Sequence, residues 1–325
     1  MTDLSEGTRR KNRALQVGAK ALLRNRVVTS IPRRGQPSSR GTAIVLSPTL
    51  LTNPASGERT SLRPVKNLLK EKWRAGEATY GAWLAIPSPL VAEAAAMAGF
   101  DYVCIDMQHG VADYQVAVAM LAAMRGSSST PIVRVPWLEP GIIGRMLDAG
   151  ALGVVIPMVN TRAEAQAAVA ACRYAPAGAR SFGPIRAGMA FGADYYSWAN
   201  DEIACIPMVE TKQAVEVVDD ILSVPGIDAV YVGPADLSIT YGLPPGVDNP
   251  GTVFDDAIAT IVDSCNRHGV TAGIHSISGL AAKRVGNGFR MITVSSDLQA
   301  TISGMRNDVK VANDGGSAGS SDKIY

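Results

Sequence analysis

The chain has 325 residues, of which 47% are hydrophobic, and a formal net charge of +2 at pH 7. This length allows two average domains or one large α/β barrel with extensions. Its apolar runs are far shorter than the roughly 18–20 residues that cross a bilayer, and no apolar segment follows Met1 as a secretory signal would require. We therefore expect a cytoplasmic protein without a membrane partner.

The charge is distributed unevenly. Residues 1–65 carry twelve Lys and Arg against three Asp and Glu, a net +9, and the remainder is −7. This segment has no sustained helical or strand period, so we predict a disordered basic extension. Three interpretations stay open: an appended segment without function, a transit-like peptide, or a weak arm for nucleic acid or an anionic surface. The segment has no aromatic side chains to stack on bases, so no nucleic-acid partner is expected.

Four cysteines occur, and none are paired at metal-like spacing. We predict that they are small buried hydrophobes in a reducing cytosol; they are Cys104, Cys172, Cys205 and Cys265.

From residue 66 onward the pattern becomes regular, with short apolar runs alternating with helical patterns. The first part predicts helix 66–75, strand 80–85, helix 89–98, strand 102–105, helix 113–125, strand 131–135, helix 141–148, strand 153–157 and helix 162–172. An irregular segment at 174–200 is followed by strand 204–209, helix 212–222, strand 229–232, helix 253–268, strand 271–274, helix 278–285, strand 291–294 and helix 298–305.

Eight strand-helix repeats predict the fold. The strands lack alternation, as expected when both faces are buried, and the repeats fill the length typical of a (β/α)8 TIM barrel. A doubly wound open sheet is the rival, but no G-x-G-x-x-G follows the first strand. We predict an α/β barrel domain at 66–310, between the extension at 1–65 and a flexible Gly/Ser-rich tail at 311–325.

Active-site residues of such a barrel lie at the carboxyl ends of its strands. Four strands end in charged or titratable groups: Asp106 with Gln108 and His109 after the second, Arg134 after the third, Glu210 after the fifth and Asp236 after the sixth. Asp236 follows the break at Gly233-Pro234, which predicts a sharp turn.

Glu210 and Asp236 are one repeat apart, so we expect them on neighbouring strand ends. Two carboxylates without nearby Cys suit a hard divalent ion such as Mg²⁺ or Mn²⁺, with water and substrate completing its shell. The alternative is that Glu210 caps the following helix and Asp236 caps its loop.

Arg134 supplies a fixed cation for a developing oxyanion; alternatively it forms a structural ion pair with one of those carboxylates. His109 with Asp106 nearby suggests an oriented base, although a structural histidine is also possible. His275, after the seventh strand, either lines the pocket or holds a turn. His268 ends a helix, where the helix dipole explains it without a function.

The motifs together resemble a known family. IDMQHG, IVRVPW, IPMV, YAPAGARSFG, MVET and VGPADLS are similar to the HpcH/HpaI aldolases, metal-dependent (class II) pyruvate aldolases such as 4-hydroxy-2-oxoheptanedioate aldolase, to which macrophomate synthase is related. The resemblance covers residues 65–305 in order and excludes the basic extension.

This resemblance implies a (β/α)8 barrel whose last helix is exchanged between subunits of a trimer or hexamer. It implies that Glu210 and Asp236 bind a divalent metal (Mg²⁺, Mn²⁺ or Co²⁺) and that His109 is the base. Arg134 would stabilise an enolate. It further implies that Asp148 supports the base across a subunit contact and that the Ala235 N–H binds the pyruvate carboxylate. From the residues themselves, Asp106 beside His109 and the Gly233-Pro234 turn beside Ala235 join this predicted site.

Two positions depart from the family pattern. Gln108 replaces the usual Glu of D-x-E-H-G, which removes a charge near the metal waters. Met208 stands where a substrate-binding Gln is common, so the identity of the substrate stays open.

The implied reaction is an aldehyde-lyase reaction: reversible aldol cleavage of a 4-hydroxy-2-oxo acid to pyruvate and an aldehyde, through a pyruvate enolate stabilised by the metal. The nearest alternative is oxaloacetate decarboxylation or a macrophomate synthase-like condensation, which forms the same enolate. An alternative of another class is a non-catalytic binding protein that uses the basic arm.

Overall fold

The computed structural model describes residues 67–314, so the prediction for residues 1–65 and most of that for the tail at 311–325 lie outside it. The strands are β1 (Thr79–Leu84), β2 (Tyr102–Asp106), β3 (Thr130–Arg134), β4 (Gly153–Ile156), β5 (Ala204–Pro207), β6 (Ala229–Val232), β7 (Thr271–His275) and β8 (Met291–Ser296). The helices are α1 (Leu68–Arg74), α2 (Pro89–Met97), α3 (Tyr114–Ala123), α4 (Pro140–Asp148), α5 (Arg162–Cys172), α6 (Ile185–Phe191), α7 (Tyr195–Glu202), α8 (Lys212–Glu216), α9 (Val218–Leu222), α10 (Pro234–Thr240), α11 (Val253–His268), α12 (Ala281–Gly286) and α13 (Asp297–Asn313). A 3-10 turn at Ser278–Leu280 precedes α12.

The eight strands are parallel and follow the order β5-β4-β3-β2-β1-β8-β7-β6. The two end strands of this order meet through a bridge between Met208 and Tyr231. The Val209 N–H donates to the Tyr231 carbonyl at 3.0 Å, and the Asp228 N–H donates to the Cys205 carbonyl at 3.1 Å. These contacts close the ring, so the predicted (β/α)8 barrel is confirmed and the open doubly wound sheet is wrong.

The core has two layers because successive strand residues point to opposite faces. One layer lies between strands and helices, and the other fills the barrel with side chains that include Tyr102, Tyr231 and Met291. Helix α1 covers the amino-terminal end of the barrel: Leu69 and Trp73 join the inner layer. The carboxyl-terminal end is therefore the end at which a site can open.

Several predicted elements differ from the structure. The segment at 174–200, predicted to be irregular, holds α6 and most of α7. Glycines at 183, 188 and 192 mask the helical period there. The helix predicted at 212–222 is two helices, because the backbone leaves the helical region at Val217 (φ −120°, ψ 22°). The helix predicted at 298–305 begins at Asp297 and continues to Asn313.

The break at Gly233-Pro234 is the start of helix α10, not only a turn. Gly233 is its N-cap and Pro234 its first helical residue, a position that tolerates proline because the missing N–H has no intrahelical acceptor. Asp236 consequently lies in the first turn of a helix.

All four cysteines are buried and free, as the sequence predicts. Within residues 67–314, no helix combines the length and the apolar character needed to span a membrane.

Candidate active site

The most tightly held group of the carboxyl-terminal rim is the pair Asp106 and Arg134. Strands β2 and β3 place the two residues in register. Arg134 donates to the Asp106 carboxylate from Nε to Oδ1 at 2.9 Å and from Nη2 to Oδ2 at 2.5 Å. The same carboxylate accepts from Trp83 Nε1 at 3.1 Å and from the backbone N–H groups of Gln108 and His109 at 3.0 and 3.2 Å. The alternative that Arg134 pairs with Glu210 or Asp236 is therefore wrong.

This pairing keeps both groups charged although both are buried. Burial by itself raises the pKa of Asp106, but the hydrogen bonds and charge of Arg134 outweigh it, so the pKa lies below its usual value. Burial lowers the pKa of Arg134, and Asp106 more than compensates. Nη1 of Arg134 makes no hydrogen bond to any described residue, so this nitrogen is left for a ligand.

The structure brings His109 to the rim, but with a different contact from the one predicted. Asp106 holds the backbone N–H of His109, and no hydrogen bond from a described residue reaches the His109 imidazole. The imidazole is exposed and available to a substrate. The Oε1 atom of Gln108 is buried without a hydrogen-bond partner among the described residues.

Glu210 follows β5 and is buried (2% exposed). Its Oε1 accepts from the backbone N–H of Met158 at 2.8 Å, whereas its Oε2 is buried with no hydrogen-bond partner in the described part of the chain. Met158 has a left-handed backbone (φ 55°), which a non-glycine residue adopts rarely and which is enriched at functional sites. Burial raises the pKa of Glu210 to about 7; the Met158 N–H opposes the rise and the charge of Asp236 adds to it.

A Cβ atom placed on Gly233 would lie 2.2 Å from Glu210 Oε2 and 3.1 Å from Met208 Cε. Glycine thus leaves space beside the unpartnered carboxylate oxygen. Asp236 and the exposed Ala235 lie in the first turn of α10, where backbone N–H groups lack intrahelical acceptors. Met208 itself is buried, at 2% exposure.

The alternative that Glu210 caps the following helix is wrong, because Thr211 is the N-cap of α8 and accepts from the Ala214 N–H. Within residues 67–314 no group of three or more His, Cys, Asp or Glu side chains surrounds a possible metal position. The residues present fit an ion held by two carboxylates, because a buried anionic oxygen without a partner is costly and a hard cation with water and substrate oxygens would satisfy it.

Asp148 is not part of this rim in its own chain. It is the last residue of α4, a helix that runs antiparallel to the strands, so it lies at the amino-terminal end of the barrel. There Arg180 Nη2 donates to Asp148 Oδ1 at 2.7 Å and contacts the Tyr195 hydroxyl at 3.1 Å. Its predicted role across a subunit contact stays a prediction.

Two aromatic residues of the site were missed by the sequence analysis. Trp83 and Tyr231 stack with ring centroids 5.3 Å apart, His275 meets the Trp83 ring at 89° and 5.2 Å, and the Arg134 guanidinium lies 5.0 Å from the Trp83 centroid. The available signal in the sequence was position, because Trp83 and Tyr231 each lie next to the last residue of an apolar strand, and Asp106 likewise ends one. His275 thus packs in one group with Trp83 and Tyr231. His268, the last residue of α11, instead contacts Asp219 of α9.

Comparison with known proteins gives one family. The family model described as HpcH/HpaI aldolase/citrate lyase matches residues 79–303. The chain is 39% identical over 233 residues to a hydroxypyruvate/pyruvate aldolase of Rhizorhabdus wittichii, which covers 71% of this chain and 93% of that one.

Solved structures agree with this result. An HpcH/HpaI aldolase/citrate lyase family protein from Burkholderia cenocepacia superposes with a TM-score of 0.72 at 34% identity, over 76% of this chain and all of that chain. Macrophomate synthase superposes with a TM-score of 0.67 at 28% identity, over 77% of this chain and 90% of that chain.

Proposed function

Because the chain belongs to the HpcH/HpaI aldolase/citrate lyase family, and is thus an aldolase-type carbon-carbon lyase, we propose that it reversibly cleaves 4-hydroxy-2-oxo acids to pyruvate and an aldehyde. The observation that carries this proposal is the buried Oε2 of Glu210 beside Gly233, which has no hydrogen-bond partner among residues 67–314. It supports a divalent cation bound by Glu210 and Asp236, with Mg²⁺, Mn²⁺ or Co²⁺ as candidates. When bound, the cation would act as a Lewis acid toward the oxygens of a 2-oxo acid.

The chain's own residues supply the other parts of the reaction. Asp106 holds two of the three guanidinium nitrogens of Arg134. The third, Nη1, has no hydrogen bond to a described residue, so it is fixed in direction and can stabilise charge that develops on the substrate's enolate oxygen. The Ala235 N–H and the first turn of α10 suit the substrate carboxylate. Gly233 and Pro234 shape this turn, and the buried Met208 borders the space beside Gly233.

The proton of the 4-hydroxyl group needs a base. The exposed imidazole of His109 takes it directly or through a water, as the C–C bond breaks and the aldehyde and enolate form. Return of this proton to the enolate carbon completes pyruvate. We propose that Asp148 of a neighbouring subunit assists His109, since in its own chain Asp148 lies at the opposite end of the barrel.

The same enolate forms when oxaloacetate loses CO₂, so oxaloacetate decarboxylation is the second candidate. The structural similarity to macrophomate synthase favours it. Because the chain belongs to an aldolase family, the alternative of a non-catalytic binding protein is set aside.

We further propose a homo-oligomer. Helix α13 has no buried residue, and its apolar side chains at 298, 302, 305 and 309 follow an i, i+4, i+7, i+11 spacing that forms one stripe. This stripe suits a neighbouring subunit and agrees with an exchanged last helix.

The decisive test is pyruvate release from a panel of 4-hydroxy-2-oxo acids and from oxaloacetate, with EDTA and with added Mg²⁺, Mn²⁺ or Co²⁺. We expect cleavage that EDTA abolishes and a metal restores, and a higher kcat/KM for one of the hydroxy-oxo acids than for oxaloacetate. The reverse order would make decarboxylation the main activity.

The metal ligands are tested by Glu210→Gln, with the exposed Glu93→Gln as the matched control. Glu210→Gln should weaken Mn²⁺ binding, measured by calorimetry, together with turnover. Unchanged Mn²⁺ affinity in a folded Glu210→Gln protein would contradict the proposed ligand role.

A further inference from the structure

Three buried hydroxyl groups connect the interior of the barrel to His275. The Tyr102 hydroxyl lies 3.0 Å from Thr293 Oγ1, and Thr293 Oγ1 lies 2.5 Å from the Tyr231 hydroxyl. The Tyr231 hydroxyl in turn lies 3.4 Å from His275 Nδ1. Tyr102, Tyr231 and Thr293 are fully buried, so no bulk water competes for these groups.

Each hydroxyl carries one proton and can therefore donate one hydrogen bond. The direction in which the hydroxyls donate is set by the closed end of the row, the hydroxyl that has a single partner. Within residues 67–314 the Tyr102 hydroxyl has a hydrogen bond only to Thr293, so it is the closed end. A phenol donates more readily than an alcohol, so its proton points to Thr293. Thr293 then donates to Tyr231, and Tyr231 donates to His275 Nδ1. The opposite direction would leave the Tyr102 proton buried without an acceptor, which is costly.

A nitrogen that accepts a hydrogen bond carries no proton, so the proton of a neutral His275 is on Nε2. The neutral form is the one present near pH 7, because burial lowers the pKa of His275 to about 4 and the positive charge of Arg134 acts in the same direction. No hydrogen bond from a described residue reaches Nε2. The side chain is only partly buried, so Nε2–H is available to a ligand.

His275 ends β7 and shares Trp83 with Arg134 as a neighbour. A neutral N–H donor at this position suits an uncharged oxygen such as a hydroxyl. A carboxylate is less suited, because it would bind better to an imidazolium, which the site disfavours.

We propose that His275 is a specificity-determining residue that donates a hydrogen bond from Nε2–H to a hydroxyl group of the substrate. Tyr231 and Thr293 are positioning residues that hold the imidazole in this tautomer. The inference rests on the proposed aldolase function. The hydroxyl belongs either to the 2-oxo acid, as in hydroxypyruvate, or to the aldehyde, as in glycolaldehyde.

The test measures kcat/KM in the direction of aldol addition, in which the oxo acid and the aldehyde are joined. It compares two ratios of kcat/KM, that of hydroxypyruvate to pyruvate and that of glycolaldehyde to acetaldehyde. In His275→Leu we expect one ratio to fall by about 3- to 10-fold, the effect of losing one neutral hydrogen bond that water can partly replace. His275→Gln keeps an N–H donor and should keep most of the preference. His268→Gln, far from the barrel mouth, is the matched control and should keep both ratios.

The ratio that falls identifies which half of the substrate carries the hydroxyl. If neither falls in a folded His275→Leu enzyme, the specificity role is overturned while the aldolase function stands. If the native chain makes no aldol product at all, the proposed function fails and takes this role with it.

The tautomer of His275 is tested independently of activity by ¹⁵N NMR of the full chain, labelled at its three histidines. His275 should show an unprotonated Nδ1 and a protonated Nε2 near pH 7. Tyr231→Phe should move its signals toward a mixture of tautomers, a change that a merely structural tyrosine would not produce. A protonated Nδ1 in the native chain would overturn the assignment.

Discussion

At the scale of single residues, Arg134 is a buried charge whose orientation is fixed by its neighbour Asp106. Two of its nitrogens bind Asp106 at 2.9 and 2.5 Å, so the guanidinium cannot rotate and Nη1 keeps one direction. Such a group stabilises developing charge without reorganising during the reaction. Asp106 thus acts on the proposed chemistry by orienting Arg134.

Arg134→Ala should lower kcat by about 10²–10³-fold. It should also lower the free energy of unfolding by about 3–5 kcal/mol, because Asp106 would stay buried without its cation. Arg134→Lys keeps the charge but loses the two-pronged contact, so we expect an intermediate kcat. Steady-state kinetics, urea denaturation and Mn²⁺ binding measure these effects separately. Near-native turnover of folded Arg134→Ala would contradict the role, whereas retained Mn²⁺ binding is expected.

Gly233→Ala tests the space beside Glu210. Gly233 has φ −90°, which alanine adopts without strain, so the effect is steric: the new Cβ would lie 2.2 Å from Glu210 Oε2. We expect Mn²⁺ affinity and kcat each to fall by roughly tenfold or more, since the carboxylate must move away.

The matched control is Gly144→Ala, where a Cβ meets nothing within 4 Å and alanine should stabilise α4 by about 0.5–1 kcal/mol. Calorimetric Mn²⁺ titration of both variants gives the comparison. Equal Mn²⁺ affinities in the two variants would show that Glu210 does not need this space.

At the scale of elements, the site depends on which strands become neighbours. Strands β2 and β3 bring Asp106 opposite Arg134, and the closure of β5 on β6 brings Glu210 to Gly233.

The helices that surround the strands are joined by polar contacts. Asp219 in α9 accepts hydrogen bonds from Ser264, from Arg267 at 2.8 Å and from His268 at 3.1 Å, all in α11.

This contact between α9 and α11 predicts a pH dependence of stability. The hydrogen bonds from Ser264 and Arg267 lower the pKa of Asp219 to about 2, below the usual value of about 3.9 in an unfolded chain. The carboxylate therefore stabilises the fold above about pH 4, and this contribution is lost as the pH falls toward 2.

The thermal midpoint of the native chain should exceed that of Asp219→Asn at pH 7, and the difference should shrink between pH 5 and pH 3. Asp263→Asn, at an exposed position of α11, controls for the loss of one negative charge. A difference that grows on acidification would contradict the assignment.

At the scale of the whole molecule, helix α13 is not covered by any part of the chain that the structure describes. Within residues 67–314, α13 is a 17-residue helix without a buried side chain, and Met305 and Val309 are 64% and 61% exposed. Apolar stripes of this kind mark interaction surfaces. The trimer or hexamer stays a prediction that this surface supports.

The double variant Met305→Glu/Val309→Glu should dissociate the oligomer, because it places two charges on the stripe, and this is measured by sedimentation velocity. Asn307→Glu on the opposite face of α13 is the matched control and should not alter the assembly. If the native chain is monomeric at assay concentrations, the proposed exchange of the last helix is wrong.

The sequence alone determined the barrel and the rim. Short apolar strands alternating with amphipathic helices are local, periodic signals, and parallel strands all end at one rim, so Asp106, Arg134, Glu210 and Asp236 could be placed there. Only the tertiary structure decided which of them touch. Asp106 pairs with Arg134, and Glu210 Oε2 has no hydrogen-bond partner in the described part of the chain. Asp148 lies at the far end of the barrel, and the rings of Trp83, Tyr231 and His275 pack together. These contacts join strands that are far apart in the chain, and they depend on the register and closure of the whole sheet, which no local pattern encodes.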